Sequence, residues 1–248
     1  MPLDMIRNVS ADFLQTGFPL PQSYIVLAGG DPLLHPEFPN VCRIIRELGC
    51  NISLSTNGIL VPQYVSVFQS GDSIQVSVDG DKATHDFIRG DGSYEKAVQA
   101  LNILRENNIP HSISFTINKQ NVHCLDHIID LCTESGSYLF NFNPYQPIRN
   151  HDLDPISFSQ WIELRQYAKK RLESHRTIMP GLCVEDGCIA GILGLTVLPD
   201  GTYWDCSRNQ ETIGRYPQKI RDVLFWDHIR NHTSRDQFQT CCKRMVYG

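Results

Sequence analysis

Short apolar runs rich in β-branched residues alternate along this chain with longer stretches of helical periodicity. Tyr24–Ala28, Asn51–Ser55, Ser73–Val78, Ser112–Ile117 and Tyr138–Phe142 read as strands. Between them, Val41, Ile44, Ile45 and Leu48 recur at helical spacing, as do Ala97, Ala100, Leu101 and Leu104. Val122, Leu125, Ile129 and Cys132 form a third stripe, with Asn121 as its expected N-cap. Pro36 falls in the expected first turn of the first of these helices, where a missing N–H costs nothing. A proline-rich break, Pro144 to Pro155, precedes a long helix from about Ser159 to Ser174, with Trp161, Leu164, Tyr167, Ala168 and Leu172 on its apolar face. Farther on, Ile192–Leu198 and Thr202–Trp204 read as β runs joined by Pro199-Asp200-Gly201, a hairpin signal.

Strand, helix, strand at this spacing implies βαβ units and a parallel sheet. Right-handed crossovers wind such a sheet into an open curved sheet or a partial barrel. Ligands of such folds bind at the carboxyl ends of the strands. Here those ends carry Gly29-Gly30-Asp31, Thr56-Asn57-Gly58, Asp79-Gly80, Asn118 and Asn143.

The 248 residues suffice for one large domain, or a domain plus a small appendage. With 41% hydrophobic and 20% charged residues the composition is that of a globular protein. A net charge of -5 gives no basic footprint, so nucleic acid is not an expected partner. The longest apolar stretch, Ile189–Leu198, is interrupted by glycines and too short to span a bilayer. Met1 to Arg7 has no charged-then-apolar signal design, so a cytoplasmic location without membrane contact is expected.

Nine cysteines make an odd count without a dense disulfide scaffold. In a reducing compartment such cysteines serve as metal ligands or as small buried apolar groups. Cys42 and Cys132 fall on apolar helical stripes and are expected to pack in the core. Cys50 and Cys124 show no ligand spacing, whereas Cys183, Cys188, Cys206, Cys241 and Cys242 gather toward the C-terminus. The nine histidines contain no zinc-protease motif and are assigned no role.

Four segments carry candidate chemistry. The first is Gly29-Gly30-Asp31-Pro32-Leu33-Leu34-His35-Pro36. Glycines admit a ligand close to the backbone, and a carboxylate accepts charge-assisted bonds from an ammonium. The second is Ser53-Leu54-Ser55-Thr56-Asn57-Gly58. The third is Gln75-Val76-Ser77-Val78-Asp79-Gly80, followed by Thr84-His85-Asp86 and Arg89-Gly90. The fourth is Cys188-Ile189-Ala190-Gly191, continuing through Leu198-Pro199-Asp200-Gly201 to Cys206, in the pattern Cys-x12-Gly-x4-Cys. Taken singly, the glycine segments read as turns and Arg89 as a surface charge.

Taken in order, the segments resemble the radical S-adenosylmethionine (SAM) superfamily with a C-terminal extension of the SPASM or twitch type. The resemblance implies a partial (β/α)6 TIM-like barrel with a small cysteine-rich β-hairpin extension. It divides the chain into a core over 1–155, a connecting helix over 156–180 and the extension over 181–248. Ile6, Phe13 and Leu14 would then lie in the first barrel helix. Gly29, Gly30 and Asp31 would hold the SAM amino group, with Asp31 in place of the family's usual glutamate. Arg89 would pair with the SAM carboxylate, a task suited to a planar fork of donors. Asn57, Ser77 and Asp79 would face the ribose or the substrate, while Thr116, Asn118, Asn143 and Tyr145 would line the adenine side. Cys188 and Cys206, with Cys241 or Cys242 and with Cys183, would ligate an auxiliary 4Fe-4S cluster, thiolates being the soft ligands such clusters need. Structural zinc and unliganded thiols are the alternatives at those cysteines.

Members of the family also carry a Cys-x3-Cys-x2-Cys triplet, ahead of the Gly-Gly-Glu segment, for the cluster that reduces SAM. This sequence has no such triplet, and by the resemblance its start would fall just past that loop and the first strand. Two readings follow. One is a radical SAM enzyme, or a truncated form of one, that modifies a peptide or protein through a 5′-deoxyadenosyl radical, with flavodoxin or ferredoxin as reductant. The other is a degenerate homologue that binds SAM or a peptide without cleaving SAM.

Overall fold

The computed structural model describes residues 1–15, 24–147, 153–180, 195–205 and 210–223. Two compact units make up the chain. The larger comprises 24–39 and 51–180; the smaller comprises 1–23, 40–50 and 181–248.

In the larger unit, β1 (Tyr24–Leu27), β2 (Asn51–Thr56), β3 (Ser73–Ser77), β4 (His111–Ile117) and β5 (Leu139–Pro144) form one sheet in the order β1-β2-β3-β4-β5. Every pairing is parallel. The α/β class and the open, barrel-like parallel sheet expected from the sequence are therefore present. No barrel closes among the described residues.

Alternation along the strands gives the sheet two unlike faces. One buries Ile52, Leu54, Ile74, Val76, Ile113, Phe115, Phe140 and Phe142. Phe115, Phe140 and Phe142 stack there with centroids 5.6–6.5 Å apart, and Trp161 closes on Phe142 at 6.5 Å. Full burial of each such ring stabilises the fold by about 1.5–3 kcal/mol. The opposite face is built from Ser53, Ser55, Gln75, Ser77, Ser114, Thr116, Asn141 and Asn143, nearly all half-buried. Gln75 Nε2 donates to Ser55 Oγ at 3.2 Å across it.

The helices are α1 (Leu3–Leu14), α2 (Phe38–Glu47), α3 (Val61–Tyr64), α4 (Lys82–Arg89), α5 (Ser93–Glu106), α6 (Leu125–Ser135), α7 (Phe158–Leu172) and α8 (Ile220–Val223). The three expected stripes lie on α2, α5 and α6, and the long helix is α7. Ser157 caps α7 by accepting from Gln160 N at 3.2 Å, an arrangement worth about 1 kcal/mol.

Two local expectations are corrected. Pro36 lies in the turn ahead of α2, and Pro39 occupies its first turn. Asn121 does not cap α6. It precedes a 3-10 turn, Val122–Cys124, makes no capping bond, and is fully buried. The four residues of α3 and eight of α4 are too short for the sequence pattern to announce them as helices.

In the smaller unit, β6 (Thr196–Val197) and β7 (Thr202–Trp204) form the expected hairpin. The Asp200 carboxylate accepts from Thr202 N at 2.9 Å in its turn. A third strand, β8 (Thr212–Arg215), pairs antiparallel with β7. It was not expected, because four residues with one glycine carry no alternation. Val9 of α1 packs with Tyr203 and Ile220, flanked by Met5, Phe13, Val197, Ile213 and Val223.

Candidate functional site

Parallel pairing places all five strand tips at one end of the sheet, and hydrogen bonds lace neighbouring tips together. After β1, Asp31 adopts an extended conformation and caps the 3-10 turn Pro32–Leu34. Its Oδ1 accepts from Leu33 N at 3.0 Å. Its Oδ2 accepts from Thr56 Oγ1 at 2.8 Å and Asn57 N at 2.9 Å. The carboxylate thus bolts the first tip to the second. Asn57 Oδ1 accepts from Ile59 N at 2.9 Å, shaping its own turn.

Gly29 and Gly30 stand exposed beside this bolt. Gly29 has φ +148, which L side chains rarely adopt, and a Cβ built on either residue meets no atom within 4 Å. The backbone here is bare, with open space over it.

The third tip is a network around Asp79, which is 3% exposed. Asp79 Oδ2 accepts from Arg89 Nε at 2.5 Å, and Oδ1 accepts from Thr116 N at 2.9 Å. Asp79 N donates to His85 Nδ1 at 3.0 Å, which puts the ring proton on Nε2. Burial, reinforced by the nearby Arg89 charge, lowers the His85 pKa to about 4, so the ring is neutral near pH 7. The Asn121 amide donates to the Asp79 and Thr116 carbonyls, both at 3.0 Å, and accepts from Asn118 N at 2.8 Å. Asp79 therefore joins β3, α4 and the β4 tip.

Asn118 is 1% exposed, and its Oδ1 accepts from Gln120 N at 2.9 Å, so it shapes the loop from inside. Ser77 and Asn143 lie half-buried on the polar face of the sheet. Tyr145 N donates to Ile117 O at 2.9 Å, tying the fourth and fifth tips. The Tyr145 hydroxyl is buried without a partner among the described residues.

The structure thus joins Asp31 to Asn57, and Asp79 to Arg89 and Thr116. Arg89 gives its Nε to Asp79, while its terminal nitrogens make no hydrogen bond among the described residues; the side chain is 31% exposed. His85 and Asn121 are structural members of the site that had no such role in the sequence reading. Cys183, Cys188, Cys206, Cys241 and Cys242 lie outside the described residues.

A bare glycine pair, a guanidinium with a free edge and an unpartnered buried hydroxyl fit a ligand that carries an amino acid and a nucleoside. The described cysteines do not fit a SAM-cleaving cluster. Cys42, Cys50, Cys124 and Cys132 are all buried free thiols in no Cys-x3-Cys-x2-Cys triplet.

Residues 11–132, from α1 to α6, match the family model described as the Radical SAM superfamily. Among curated relatives, the AdoMet-dependent heme synthase of Methanosarcina barkeri is 30% identical over 122 residues, covering 47% of this chain and 35% of that protein. The sporulation killing factor maturation protein SkfB of Bacillus subtilis is 28% identical over 120 residues, 47% of this chain and 29% of that protein. The matched stretch is thus about a third of these relatives' length. SuiB of Streptococcus suis, solved with S-adenosylmethionine, superposes with TM-score 0.76 at 15% identity, covering 92% of this chain and 59% of that one. SuiB solved with its precursor peptide SuiA gives TM-score 0.72 at 14% identity, covering 93% and 59%. At these identities the likeness to SuiB is one of fold. No helix among the described residues is long and apolar enough to cross a membrane.

Proposed function

We propose that the strand tips hold S-adenosylmethionine and that the chain serves a radical SAM protein that modifies a peptide in the cytoplasm. The observation that carries this is the bare Gly29-Gly30 backbone beside the Asp31 anchor, within the stretch that matches the superfamily model. Gly29 and Gly30 would hold the methionyl ammonium, and the free edge of Arg89 would hold the SAM carboxylate. Asp79 fixes the orientation of that guanidinium. Asn57, Ser77, Asn143 and Tyr145 supply polar contacts to the nucleoside and the substrate. SAM, once bound and reduced, would supply the radical chemistry on the substrate. The chain's own part is to bind and aim SAM; a SAM-cleaving cluster has no ligands among the described residues. Cys183, Cys188, Cys206 and Cys241 or Cys242 would hold an auxiliary 4Fe-4S cluster, and a flavodoxin or ferredoxin would supply electrons.

A peptide is favoured over a tetrapyrrole because of the sheet's polar face. Ser53, Ser55, Gln75, Ser114, Thr116 and Asn141 offer neutral donors and acceptors suited to amides. The strands bring no lysine or arginine to that face, as the propionates of a tetrapyrrole would require. SkfB and SuiB supply the parallel, one named for maturation of a killing factor and the other solved with a precursor peptide.

Calorimetric titration with SAM tests the reading. Gly30→Val fills open space without disturbing the fold, so it should keep wild-type stability while SAM affinity drops at least tenfold. No SAM binding by the wild-type chain, or equal binding by Gly30→Val, would defeat it. A binding-only role is the second reading, since the four described cysteines are all buried free thiols. Formation of 5′-deoxyadenosine from SAM and dithionite by this chain alone would exclude it.

A further inference from the structure

Beside the Asp79 network, on the β3–α4 loop, Asp81 comes together with His123 and Cys124 of the 3-10 turn that leads into α6. One ligand atom from each lies within 4.8 Å of the others. We propose that these three side chains form a divalent-metal site, suited to zinc, that clamps the β3–α4 loop to the turn ahead of α6.

The donor chemistry selects the metal. One thiolate, one imidazole and one carboxylate match a borderline-soft, four-coordinate ion better than calcium or magnesium, which take oxygen ligands. Bonds of about 2.0–2.3 Å in a tetrahedron set ligand atoms roughly 3.5 Å apart. The present spacing therefore needs a contraction of about 1 Å, which the exposed His123 side chain can supply by rotation. Cys124 is 2% exposed and forms the floor; His123 and the half-buried Asp81 form the solvent side, where water completes the coordination. On binding, the Cys124 thiol releases its proton to solvent and the sulfur takes the metal.

The surroundings already orient these groups. Asp81 Oδ1 accepts from Thr84 N at 2.9 Å as the α4 cap, so Oδ2 is the oxygen offered to the metal. Cys124 Sγ donates to Thr84 Oγ1 at 3.4 Å, and that oxygen stands 3.4 Å from His123 Nε2, so one hydroxyl already touches both ligands. Gly80 makes the approach possible: a Cβ there would stand 3.3 Å from Cys124 Sγ. Asp81 and Thr84 thus come from the start of α4, and His123 and Cys124 from the turn ahead of α6, and a bound ion would tie together the segments that carry Asp79, His85 and Asn121.

The test uses the full chain, stripped of metal under reducing, anaerobic conditions and titrated with Co2+ alone. Four proteins are compared: wild type, His123→Ala, Asp81→Asn and Cys124→Ser. Alanine at the exposed position 123 leaves the fold intact, and asparagine at 81 keeps the helix cap while removing the charge. Whatever cobalt the C-terminal cysteines take is common to all four. The expected result is one fewer cobalt per chain in each variant, loss of one thiolate-to-cobalt absorption contribution in Cys124→Ser, and a cobalt-dependent rise in melting temperature that His123→Ala lacks. Equal cobalt counts in wild type and His123→Ala would overturn the proposal. So would a loss confined to Cys124→Ser.

Discussion

Arg89 Nε lies 2.5 Å from Asp79 Oδ2, and the Asp79 side chain is only 5% exposed. The guanidinium is thus divided, with one edge given to the protein and one left for a ligand. Deleting a partner from such a pair strands a buried charge, at a cost of about 3 kcal/mol or more. Arg89→Ala should therefore lower the urea midpoint well beyond an ordinary surface substitution. Asp79→Asn should cost less, since its amide oxygen still accepts from Thr116 N. Arg89→Lys keeps the charge but loses the fork, and calorimetry should show SAM binding at least tenfold weaker. Unchanged affinity in Arg89→Lys would remove Arg89 from the SAM site.

His85 makes stability depend on pH. Its pKa stands at about 4 when folded, against 6.5 for the free side chain. The unfolded chain therefore binds the proton more readily. The stability this ring contributes is intact above about pH 6.5 and is lost as pH falls through the window from about 6.5 to about 4, in all about 3 kcal/mol. His85→Gln keeps an acceptor for Asp79 N without titrating. Its urea midpoint should change less between about pH 7 and about pH 5 than that of wild type. Parallel profiles would show that the drop originates elsewhere.

Two glycines should respond in opposite ways to alanine. At Gly80, φ is +153 and a Cβ would stand 2.8 Å from Thr84 Cβ. Gly80→Ala should destabilise by about 1–3 kcal/mol. At Gly30 the space is open, and Gly30→Ala should stay within about 0.5 kcal/mol of wild type. Thermal melts of the two variants side by side decide the matter. Equal losses would mean that backbone geometry at the third tip is not constrained as described.

Burial raises the pKa of the Cys132 and Cys50 thiols, and Cys42 is fully buried. Thiolate is the reactive form. Brief iodoacetamide treatment of the folded chain should leave Cys42, Cys50 and Cys132 unmodified, and urea should expose all three. Peptide mass spectrometry reads this directly. Labelling of Cys132 in the native protein would show that α6 opens locally.

The five strands were legible because their apolar residues alternate, and the stripes on α2, α5 and α6 because they repeat at helical spacing. The same alternation also contained the polar face: Ser53 and Ser55, Gln75 and Ser77, Ser114 and Thr116, Asn141 and Asn143. Each such pair looks like incidental surface until pairing sets it beside the next. What stayed hidden depends on distance along the chain. Nothing local joins Asp31 to Asn57, or Asp81 to Cys124 forty-odd residues away. Asn121 shows the opposite error, because asparagine before an apolar stripe looks like a cap, whereas burial turned its amide toward Asp79. His123 and His127 stand four residues apart, yet only His123 joins the cluster with Asp81 and Cys124.

Asp12 of α1 accepts from Ile220 N at 2.6 Å, pairs with Lys219 at 3.3 Å, and shares its helix with the Val9 that packs on Tyr203 and Ile220. These partners are synthesised some two hundred residues later. A nascent chain must carry α1, apolar stripe uncovered, until those residues have been made. A ribosome stalled before residue 203 would hold a helix with nowhere to dock, and that interval is when a chaperone would find it.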